Sequence, residues 1–316
     1  MKELFEQIKS LNILVIGDVM LDRYIIGQVS RISPEAPVPV LAVDEERSVA
    51  GGAANVSLNL CALGASVETI GWFGKDQKGE ELVKILEAAK INVDSRFRFS
   101  SAPTISKSRI TALNQQICRV DREAHVKEYS PDLGIIGSLL TQKVKEVDAV
   151  VISDYGKGFV TDELLKLVSE NAKFVSIDPK PSRFLEYAKP DLLTPNRLEA
   201  LELAGLSRET RDPFPKHEVV DRIFSRFSPK MLAITLGAEG MLLAEDGKIK
   251  STIPTAAREV FDVSGAGDTV IASLTLALIS GESFPLSAEF ANLAAGVVVG
   301  KVGTATATPE EILKHL

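Results

Sequence analysis

The sequence is poor in the residues that build metal centres and disulfide frameworks. Its 316 residues include two cysteines and three histidines. Cys61 and Cys118 belong to no CxxC pair, which indicates a reduced, cytoplasmic compartment. The histidines, at positions 125, 217 and 315, are too widely separated for the spacing of a zinc site. The sequence therefore predicts neither a disulfide framework nor a zinc centre.

Clusters of positive charge and long apolar runs are also scarce. The formal net charge is −7, and no tract of lysine and arginine occurs. This charge argues against nucleic acid or an anionic membrane as the main partner. The longest apolar runs are about a dozen residues, shorter than the ~20 that a membrane-spanning helix needs. Residues 1–10 are amphipathic and charged, unlike a secretory signal peptide.

Three motifs that are common in α/β enzymes are missing. No GxxxxGK is followed by Ser or Thr, no GxGxxG follows the first predicted strand, and no GxSxG is present. These absences exclude a Walker-type nucleotide fold and weaken a dinucleotide dehydrogenase interpretation. They also leave a hydrolase triad of the nucleophile-elbow type unsupported.

What the sequence does contain is a regular alternation of apolar strands and amphipathic helices. Strands are predicted at 11–16, 67–73, 149–153, 174–177, 192–194 and 231–235, with a hairpin at 241–244 and 247–251. Helices are predicted at 51–63, 76–89, 132–147, 161–171, from 195, and at 217–227, 267–280, 286–300 and 309–316. This alternation predicts an α/β fold, in which a doubly wound, mostly parallel sheet has helices on both faces. We expect a single domain over residues 1–316.

Two stretches, 19–48 and 94–123, interrupt the alternation. Prolines between 34 and 39 exclude a helix there, and the second stretch alternates charged with apolar residues. Both are typical of short antiparallel strands with one wet face. We predict that the two insertions form a small antiparallel β lid. Because exposed strand edges tend to pair, we also expect a homodimer joined through this lid.

Polar residues recur where predicted strands end. They are Asp18, Asp154, Lys157, Asp178, Lys180, Asn196, Glu199, Thr235 and Asp268. In a doubly wound sheet these ends share one rim, where ligands bind. A single strand-end aspartate is more often a helix cap, but several together favour a site.

The run DVSGAGD at 262–268 precedes the most apolar predicted helix. Gly265 and Gly267 can adopt backbone angles that a side chain forbids, and they let a ligand approach the main chain. The N-terminus of the next helix offers unpaired N–H groups and positive potential, which suit a phosphoryl group. Asp268 would then meet the acceptor hydroxyl. The simpler alternative, a turn before a core helix, is equally consistent with these seven residues alone.

Three motifs together resemble those of the ribokinase-like (PfkB) carbohydrate kinases. They are GGAAN at 51–55, NRLE at 196–199 and the run at 262–268, where Val263 and Ser264 replace the family's usual threonines. The resemblance covers about residues 11–303. Within the family, GDVMLDRY at 17–24, RISPEAPVPV at 31–40 and NQQ at 114–116 resemble the heptose-7-phosphate kinases.

The resemblance implies a reaction. ATP would phosphorylate the anomeric hydroxyl of D-glycero-D-manno-heptose 7-phosphate, giving the 1,7-bisphosphate used for ADP-heptose and lipopolysaccharide cores. In many bacteria this kinase is fused to an adenylyltransferase, whose HxGH-type motif is not found here, so we expect a stand-alone kinase or an isolated kinase domain. Two alternatives stay open: a kinase for another sugar, sugar phosphate or nucleoside, and a non-catalytic sugar-binding protein.

The resemblance also implies roles for individual residues. The catalytic group would comprise Asp268 as the base, with Gly265, Ala266 and Gly267 as the anion hole. The sugar phosphate would be bound by Asp18, Gly51, Gly52 and Asn55 and by cations drawn from Lys107, Arg109, Lys157 and Lys180, with Arg119 and Arg183 as weaker candidates. ATP would contact Asn196, Glu199, Thr235, Gly237, Gly240 and Asn292.

Two ions are implied as well. Glu199 would organise Mg²⁺, and a monovalent cation such as K⁺ would lie beside the anion hole, near Asp262 and Gly303. One expectation counts against the catalytic assignment. The positive end of the following helix should lower the pKa of Asp268 and make it a poor base. In a loose phosphoryl-transfer transition state, however, orientation matters more than early removal of the proton.

Overall fold

The protein is described here by a computed structural model that covers residues 1–113, 115–183, 185–187, 189–256, 262–301 and 303–315. Asn114, part of one motif above, and Leu316, the predicted end of the last helix, lie outside these residues. The strands are β1 Asn12–Gly17, β2 Val19–Ile32, β3 Pro39–Gly52, β4 Ser66–Gly71, β5 Phe73–Gly74, β6 Arg98–Phe99, β7 Ser106–Ala112, β8 Gln115–Arg122, β9 Ala149–Ser153, β10 Val175–Asp178, β11 Leu192–Leu193, β12 Met231–Thr235, β13 Met241–Glu245 and β14 Lys248–Ile253.

The helices lie close to their predicted positions. They are α1 Lys2–Ile8, α2 Ala53–Ala62, α3 Gln77–Ala88, α4 Leu133–Glu146, α5 Asp162–Asn171, α6 Arg197–Leu203, α7 Lys216–Phe227, α8 Ala266–Ile279, α9 Phe284–Val299 and α10 Pro309–Lys314. Several start at a polar N-cap that the sequence indicates. Asp76, Thr161 and Asn196 each accept a hydrogen bond from the first turn of the following helix.

Eight strands form the large sheet, in the order β14-β13-β12-β11-β10-β9-β1-β4. From β12 to β4 every neighbouring pair is parallel, whereas β13 and β14 add an antiparallel edge. The continuous apolar run of β1 is buried on both faces, as expected for a central parallel strand. The predicted doubly wound sheet is therefore confirmed.

The two faces of the large sheet are covered by different helices. Leu14 and Ile16 of β1 pack into a core with residues of α4, α5, α6 and α7. Ile13 and Val15, which point the opposite way, pack into a second core with α1, α2, α8 and α9. Among the described residues, no helix is both long enough and apolar enough to cross a bilayer.

A second, four-stranded sheet, called here the small sheet, has the order β3-β2-β7-β8. The hairpins β2–β3 and β7–β8 are antiparallel, as the sequence predicts. The two insertions meet through a parallel pair, β2 with β7, because the first strand of each hairpin runs the same way. The glycines of the GGAAN run finish β3, so the helix begins two residues later than predicted, at Ala53.

Candidate active site

Asp268 is the centre of the site. It lies in the first turn of α8, its side chain is 3% exposed, and two neutral donors approach its carboxylate. Asn55 Nδ2 donates to Oδ2 at 2.7 Å, and the Tyr155 hydroxyl donates to Oδ1 at 2.7 Å. A direct hydrogen bond thus joins the GGAAN run to the DVSGAGD run.

The expected low pKa of Asp268 is wrong. Burial raises the pKa of this carboxyl to about 6, and the nearby charge of Asp22 adds to the rise. The hydrogen bonds from Asn55 and Tyr155 act in the opposite sense but do not cancel the effect of burial. The pKa therefore lies near neutral pH, where a general base is most effective.

Gly265 makes this arrangement possible. It is the N-cap of α8 with φ 80°, a conformation that favours glycine, and a Cβ there would lie 2.8 Å from Asn55 Nδ2. A Cβ on Gly267 would meet no atom within 4 Å, so this part of the turn is open. The N–H of Ala266 donates to the Val263 carbonyl, so that predicted anion-hole donor is engaged within the turn.

A second layer of hydrogen bonds fixes α2 against α8. Asn59 Nδ2 donates to the Asn55 carbonyl at 2.9 Å, and the Thr269 hydroxyl donates to Asn59 Oδ1 at 2.8 Å. All of these side chains are buried. Asn59 and Thr269 therefore hold the Asn55 main chain in place, which positions the Asn55 amide against Asp268.

Asp18 lies at the end of β1 as predicted, but its carboxylate contacts a loop of the protein. It is 1% exposed, and its carboxylate accepts N–H bonds from Tyr155, Lys157 and Phe159 at 2.8–3.0 Å. Both oxygens therefore hold the loop after β9. Asp18 braces that loop and positions Tyr155 instead of facing the cavity with a free carboxylate.

Two further strand-end aspartates lie nearby, Asp154 buried and Asp178 partly exposed. Asp154 accepts hydrogen bonds from the Tyr187 hydroxyl at 2.6 Å and the Gly156 N–H at 2.7 Å. Burial and the neighbouring Asp18 raise the pKa of Asp154 to about 7. Asp178 has only a long contact, 3.5 Å from the Thr194 hydroxyl, and burial with repulsion from Glu199 and Asp268 raises its pKa well above the usual range.

The NRLE run forms a capping box at the start of α6. Asn196 accepts from the N–H groups of Leu198 and Glu199, and Glu199 Oε2 accepts from the Asn196 N–H at 3.0 Å. The other Glu199 oxygen accepts from Lys180 Nζ at 2.8 Å. Glu199 can thus cap α6 with Oε2 and still present Oε1 to the site.

These groups line a cavity of about 240 Å³. Its walls comprise Asp154, Tyr155, Asp178, Lys180, Thr194, Asn196, Glu199, Thr235, Gly265, Gly267 and Asp268. Asp154, Asp178, Glu199 and Asp268 give it four carboxylates. Within the described part of the chain, no group of three or more His, Cys, Asp or Glu side chains is arranged to hold a metal alone. Mg²⁺, however, is usually bound by one or two carboxylates together with water and phosphate oxygens, and this cavity offers such donors.

A second cavity, of about 520 Å³, adjoins the first. All four remaining residues predicted to contact the nucleotide line it: Thr235, Gly237, Gly240 and Asn292. Asn292 also joins the loop after β14 to α9, since it donates to the Pro254 carbonyl and accepts from the Ala256 N–H. Thr235 and Gly267 belong to both cavities, so the two meet beside Asp268.

The predicted phosphate-binding cations do not all lie together. Arg109 and Lys107 are on the small sheet, and Arg109 Nη1 donates to Asp22 Oδ1 at 2.7 Å. Lys157 pairs with Glu123 at 2.5 Å, whereas Lys180 lies across the site with Glu199. Of the weaker candidates, Arg119 pairs with Asp121, and Arg183 donates to the Val160 carbonyl.

Sequence reasoning missed two residues of the site, Asp22 and Tyr155. Asp22 is 5% exposed, and its charge raises the pKa values of both Asp268 and Tyr155. A Cβ on Gly51 would lie 2.5 Å from Asp22 Oδ2, which explains a glycine there. The signal was available, because Asp22 ends the GDVMLD run and Tyr155 directly follows a strand-end aspartate.

Comparison with known proteins gives a consistent result. The profile of the pfkB family carbohydrate kinases matches residues 10–311. The chain is 42% identical over 307 residues to the bifunctional protein HldE of Sulfurimonas denitrificans, and 43% identical over 312 residues to that of Helicobacter hepaticus. The matches cover 96% and 98% of this chain, but the chain spans only 64% of each relative's length.

Solved structures share the fold at lower identity. Arabidopsis thaliana ribokinase, complexed with ribose and ATP, aligns with a TM-score of 0.74 and 19% identity over 97% of this chain and 98% of its own. Escherichia coli phosphofructokinase-2, in complex with potassium, aligns with a TM-score of 0.76 and 18% identity over 96% and 98%. These similarities establish a shared fold.

Proposed function

The chain belongs to the pfkB family of carbohydrate kinases, and on that premise we propose that it phosphorylates the anomeric hydroxyl of D-glycero-D-manno-heptose 7-phosphate with ATP. The product is the 1,7-bisphosphate, a precursor of the ADP-heptose in lipopolysaccharide cores. The choice of substrate rests on the motifs at 17–24 and 31–40, which resemble the heptose-7-phosphate kinases. We propose a cytoplasmic location for this reaction.

One observation carries the kinase proposal. A buried carboxylate, Asp268, stands at the N-terminus of an apolar helix where two cavities meet. The larger cavity has the size and mainly apolar lining that suit a nucleotide base and sugar. The smaller holds the polar groups that suit its phosphates. Asp268 therefore lies at the boundary where a γ-phosphoryl group would leave the nucleotide.

In the reaction, ionised Asp268 accepts the proton of the anomeric hydroxyl. The resulting oxygen forms a bond to the γ-phosphorus as the bond from that phosphorus to the β–γ bridging oxygen breaks, and ADP leaves. Asn55 and Tyr155 hold the carboxylate, each at 2.7 Å, so that its orientation is set before the sugar binds. With a pKa of about 6, Asp268 is ionised at neutral pH and still basic enough to take the proton.

The turn that precedes α8 would stabilise the charge on the transferring phosphoryl group. The first N–H groups of a helix have no partner within it, and its dipole is positive at this end. Because the Ala266 N–H is bonded to the Val263 carbonyl, this role falls to the N–H groups of Gly265 and Gly267. Gly267 leaves the approach open, because no atom lies within 4 Å of where a Cβ would stand. Gly265 keeps the turn in its left-handed conformation. Donors fixed in advance are the most effective arrangement for this charge.

Mg²⁺ would be held by Asp178 and Glu199. The carboxylate of Asp178 is partly exposed and, among the described residues, has only one long contact, with the Thr194 hydroxyl, which leaves its oxygens available to a cation. The bound ion would neutralise charge on the nucleotide phosphates. Lys180, which contacts Glu199, is better placed for those phosphates than for the sugar phosphate. The NRLE motif thus contributes through Glu199, while Asn196 fixes the helix that carries it.

A monovalent cation such as K⁺ is proposed next to the turn. Asp262 accepts N–H bonds from Ser264 and Gly303, and these outweigh burial and lower the pKa of Asp262. The site therefore has a permanent negative charge and oxygen donors. Replacement of KCl by choline chloride at equal ionic strength should lower turnover, and equal rates in both salts would count against the ion.

The sugar is proposed to lie between α8 and the small sheet. Asn55 and Asp22 would contact its hydroxyls, and Gly51 leaves room for the Asp22 carboxylate. Lys107 and Arg109 would face the substrate phosphate. Asp18, whose oxygens are occupied by the loop after β9, is assigned a positioning role instead of the sugar contact predicted from the sequence.

We also propose a homodimer formed through the small sheet. The face of that sheet that bears Arg23 also bears Ile25, Ile110 and Val120, and Val120 is 54% exposed. A two-fold pairing would cover this apolar surface. Light scattering should give twice the chain mass, and Val120→Asp should shift it to the monomer. A wild-type monomer at working concentration would rule the proposal out.

The test of the activity is Mg·ATP turnover on heptose 7-phosphate, ribose, fructose 6-phosphate and a nucleoside. We expect turnover of the heptose phosphate, and a fall in kcat of about 10²–10⁴ in Asp268→Asn. Unchanged activity in that variant would overturn the base assignment. Turnover of another acceptor, with none on the heptose phosphate, would overturn the substrate.

A further inference from the structure

We propose that Arg47, a residue outside every motif above, binds the phosphate of the sugar substrate from the small sheet. The inference rests on the proposed function, because it specifies how that site selects a phosphorylated sugar. It concerns the substrate's own phosphate and not the group being transferred.

The register of the small sheet places Arg47 beside two other arginines. Across the four strands, Arg47, Tyr24, Arg109 and Arg119 are directly opposite one another. Directly opposed residues point to the same face of a sheet. One row therefore places three guanidinium groups and a phenol side by side; we call it the arginine row.

The neighbouring row relates this surface to the reacting centre. It contains Asp22 and Lys107, opposite each other in β2 and β7. Asp22 is the residue whose charge acts on Asp268. The arginine row is two residues further along β2, about 6.6 Å away on the same face. A substrate with its anomeric hydroxyl at Asp268 and a phosphate at the other end of the sugar would extend in this direction.

Arg47 is held but not neutralised. Its guanidinium lies 4.8 Å from the centre of the Tyr24 ring, and that of Arg109 lies 5.4 Å from the same ring. Arg109 donates to Asp22, and Arg119 donates to Asp121. Arg47 has no ion pair or hydrogen bond with any residue in the described ranges. A guanidinium pre-oriented on an aromatic ring is suited to bidentate binding of phosphate.

The position of Arg47 separates it from the nucleotide. A Cβ on Gly303 would lie 3.7 Å from the Tyr24 hydroxyl and 3.8 Å from Arg47 Nη2, so both side chains end at the turn beyond Asp262. The two cavities assigned to ATP are lined by no residue of the small sheet. Arg47 therefore faces a ligand that enters from the sugar side.

The experiment compares Arg47→Ala and Arg47→Lys with Arg23→Ala. Arg23 is on β2 but points to the opposite face, where it pairs with Glu46 at 3.0 Å, which makes it a matched control. We expect Arg47→Ala to raise KM for the sugar phosphate by about 10- to 100-fold, with kcat and KM for ATP nearly unchanged. Arg47→Lys should recover part of the loss, and Arg23→Ala should behave as wild type. Equal effects of Arg47→Ala and Arg23→Ala, or a fall in kcat at constant KM, would overturn the proposal.

A binding measurement separates this inference from the proposed reaction. Calorimetry with the Asp268→Asn protein should show that it binds a sugar phosphate more tightly than the same sugar without phosphate, and that the additional Arg47→Ala change reduces this difference by about 10- to 100-fold. If the substrate proves to be another sugar phosphate, Arg47→Ala should weaken the binding of that sugar phosphate to the same extent. The heptose assignment would then be wrong, while the role of Arg47 would be supported. A wild-type protein that binds both forms of the sugar equally would refute the role of Arg47.

Discussion

The rim of the large sheet and the arginine row of the small sheet handle charge in opposite ways. At the rim, Asp154 and Asp268 are buried among neutral donors, Asp178 lies beside them with partial exposure, and each of the three has a raised pKa. On the small sheet, Arg47 lies at the surface and has no carboxylate partner among the described residues. The carboxylates therefore lie inside the site, whereas the Arg47 guanidinium lies at the surface next to it.

This difference in burial suits the rim to proton transfer and the arginine row to binding of an anion. Buried carboxylates held by fixed hydrogen bonds favour a defined geometry, which a proton transfer requires. Exposed guanidinium groups lose little solvation and attract an anion at long range, which a binding surface requires. We therefore expect changes at the rim to alter kcat, pH dependence and stability, and changes in the arginine row to alter KM for the sugar.

The largest effect should be on stability and should come from Asp268→Asn. The pKa of Asp268 is raised to about 6 from 3.8, so the folded state loses stability relative to the unfolded state as pH rises through this range. The asparagine variant escapes this cost. Its gain over wild type in the free energy of unfolding should grow by about 2 kcal/mol between pH 4 and pH 7, measured by urea denaturation.

Asp262→Asn is the control of opposite sign. Hydrogen bonds from Ser264 and Gly303 outweigh burial and lower the pKa of Asp262, so its ionised form contributes stability that is lost only in acid. This variant should be less stable than wild type at pH 7 and should approach it as pH falls. If Asp268→Asn showed the same trend, the folded protein would not raise the pKa of Asp268.

The same contrast explains what could be predicted from the sequence. The parallel strands were evident because strands such as β1 are apolar throughout, and Asp268 and Asn55 followed from short motifs beside them. Arg47 was not evident, because its significance depends on which strands pair. The parallel pairing of β2 with β7 aligns Arg47 with Arg109 across more than 60 residues, and no local pattern encodes that register.

For Asp18, the sequence predicts the position in the fold but not the contacts of the side chain. Its position at the end of β1 was predicted correctly, but not the direction of its carboxylate. Sequence position alone cannot show that three N–H groups of a loop after β9 would occupy both oxygens. Asp22, four residues later on a strand of the small sheet, faces the site instead.

Asn55→Ala tests whether the orientation of Asp268 governs kcat. Asn55→Ala removes the donor to Asp268 Oδ2 and leaves Asp268 itself in place. Loss of alignment at a reacting group typically costs up to about 100-fold, so kcat should fall by roughly this factor at pH 8. KM for ATP should change little, because Asn55 lines neither cavity assigned to the nucleotide. A change confined to KM for the sugar, with kcat unchanged, would mean that Asn55 binds the substrate but does not orient Asp268.

The smallest effect comes from a matched pair of tyrosines. The Tyr155 hydroxyl donates to Asp268, and the Tyr187 hydroxyl donates to Asp154, at 2.7 Å and 2.6 Å. Wild-type kcat should rise with pH through about 6 as Asp268 ionises. Since the Tyr155 bond lowers the pKa of Asp268, Tyr155→Phe should move this midpoint upward and lower the plateau by about tenfold or less.

Tyr187→Phe distinguishes a catalytic contact from a structural one. It removes the bond to Asp154, a buried aspartate that does not contact the reacting atoms, together with the bond that the Tyr187 hydroxyl accepts from the Lys180 N–H at 3.1 Å. The midpoint in kcat should therefore stay near the wild-type value, while the free energy of unfolding falls by about 1 kcal/mol. A shift of the midpoint in Tyr187→Phe as large as that in Tyr155→Phe would mean that the buried aspartates titrate as one unit. The rate would then report on the charge of the whole rim instead of on Asp268.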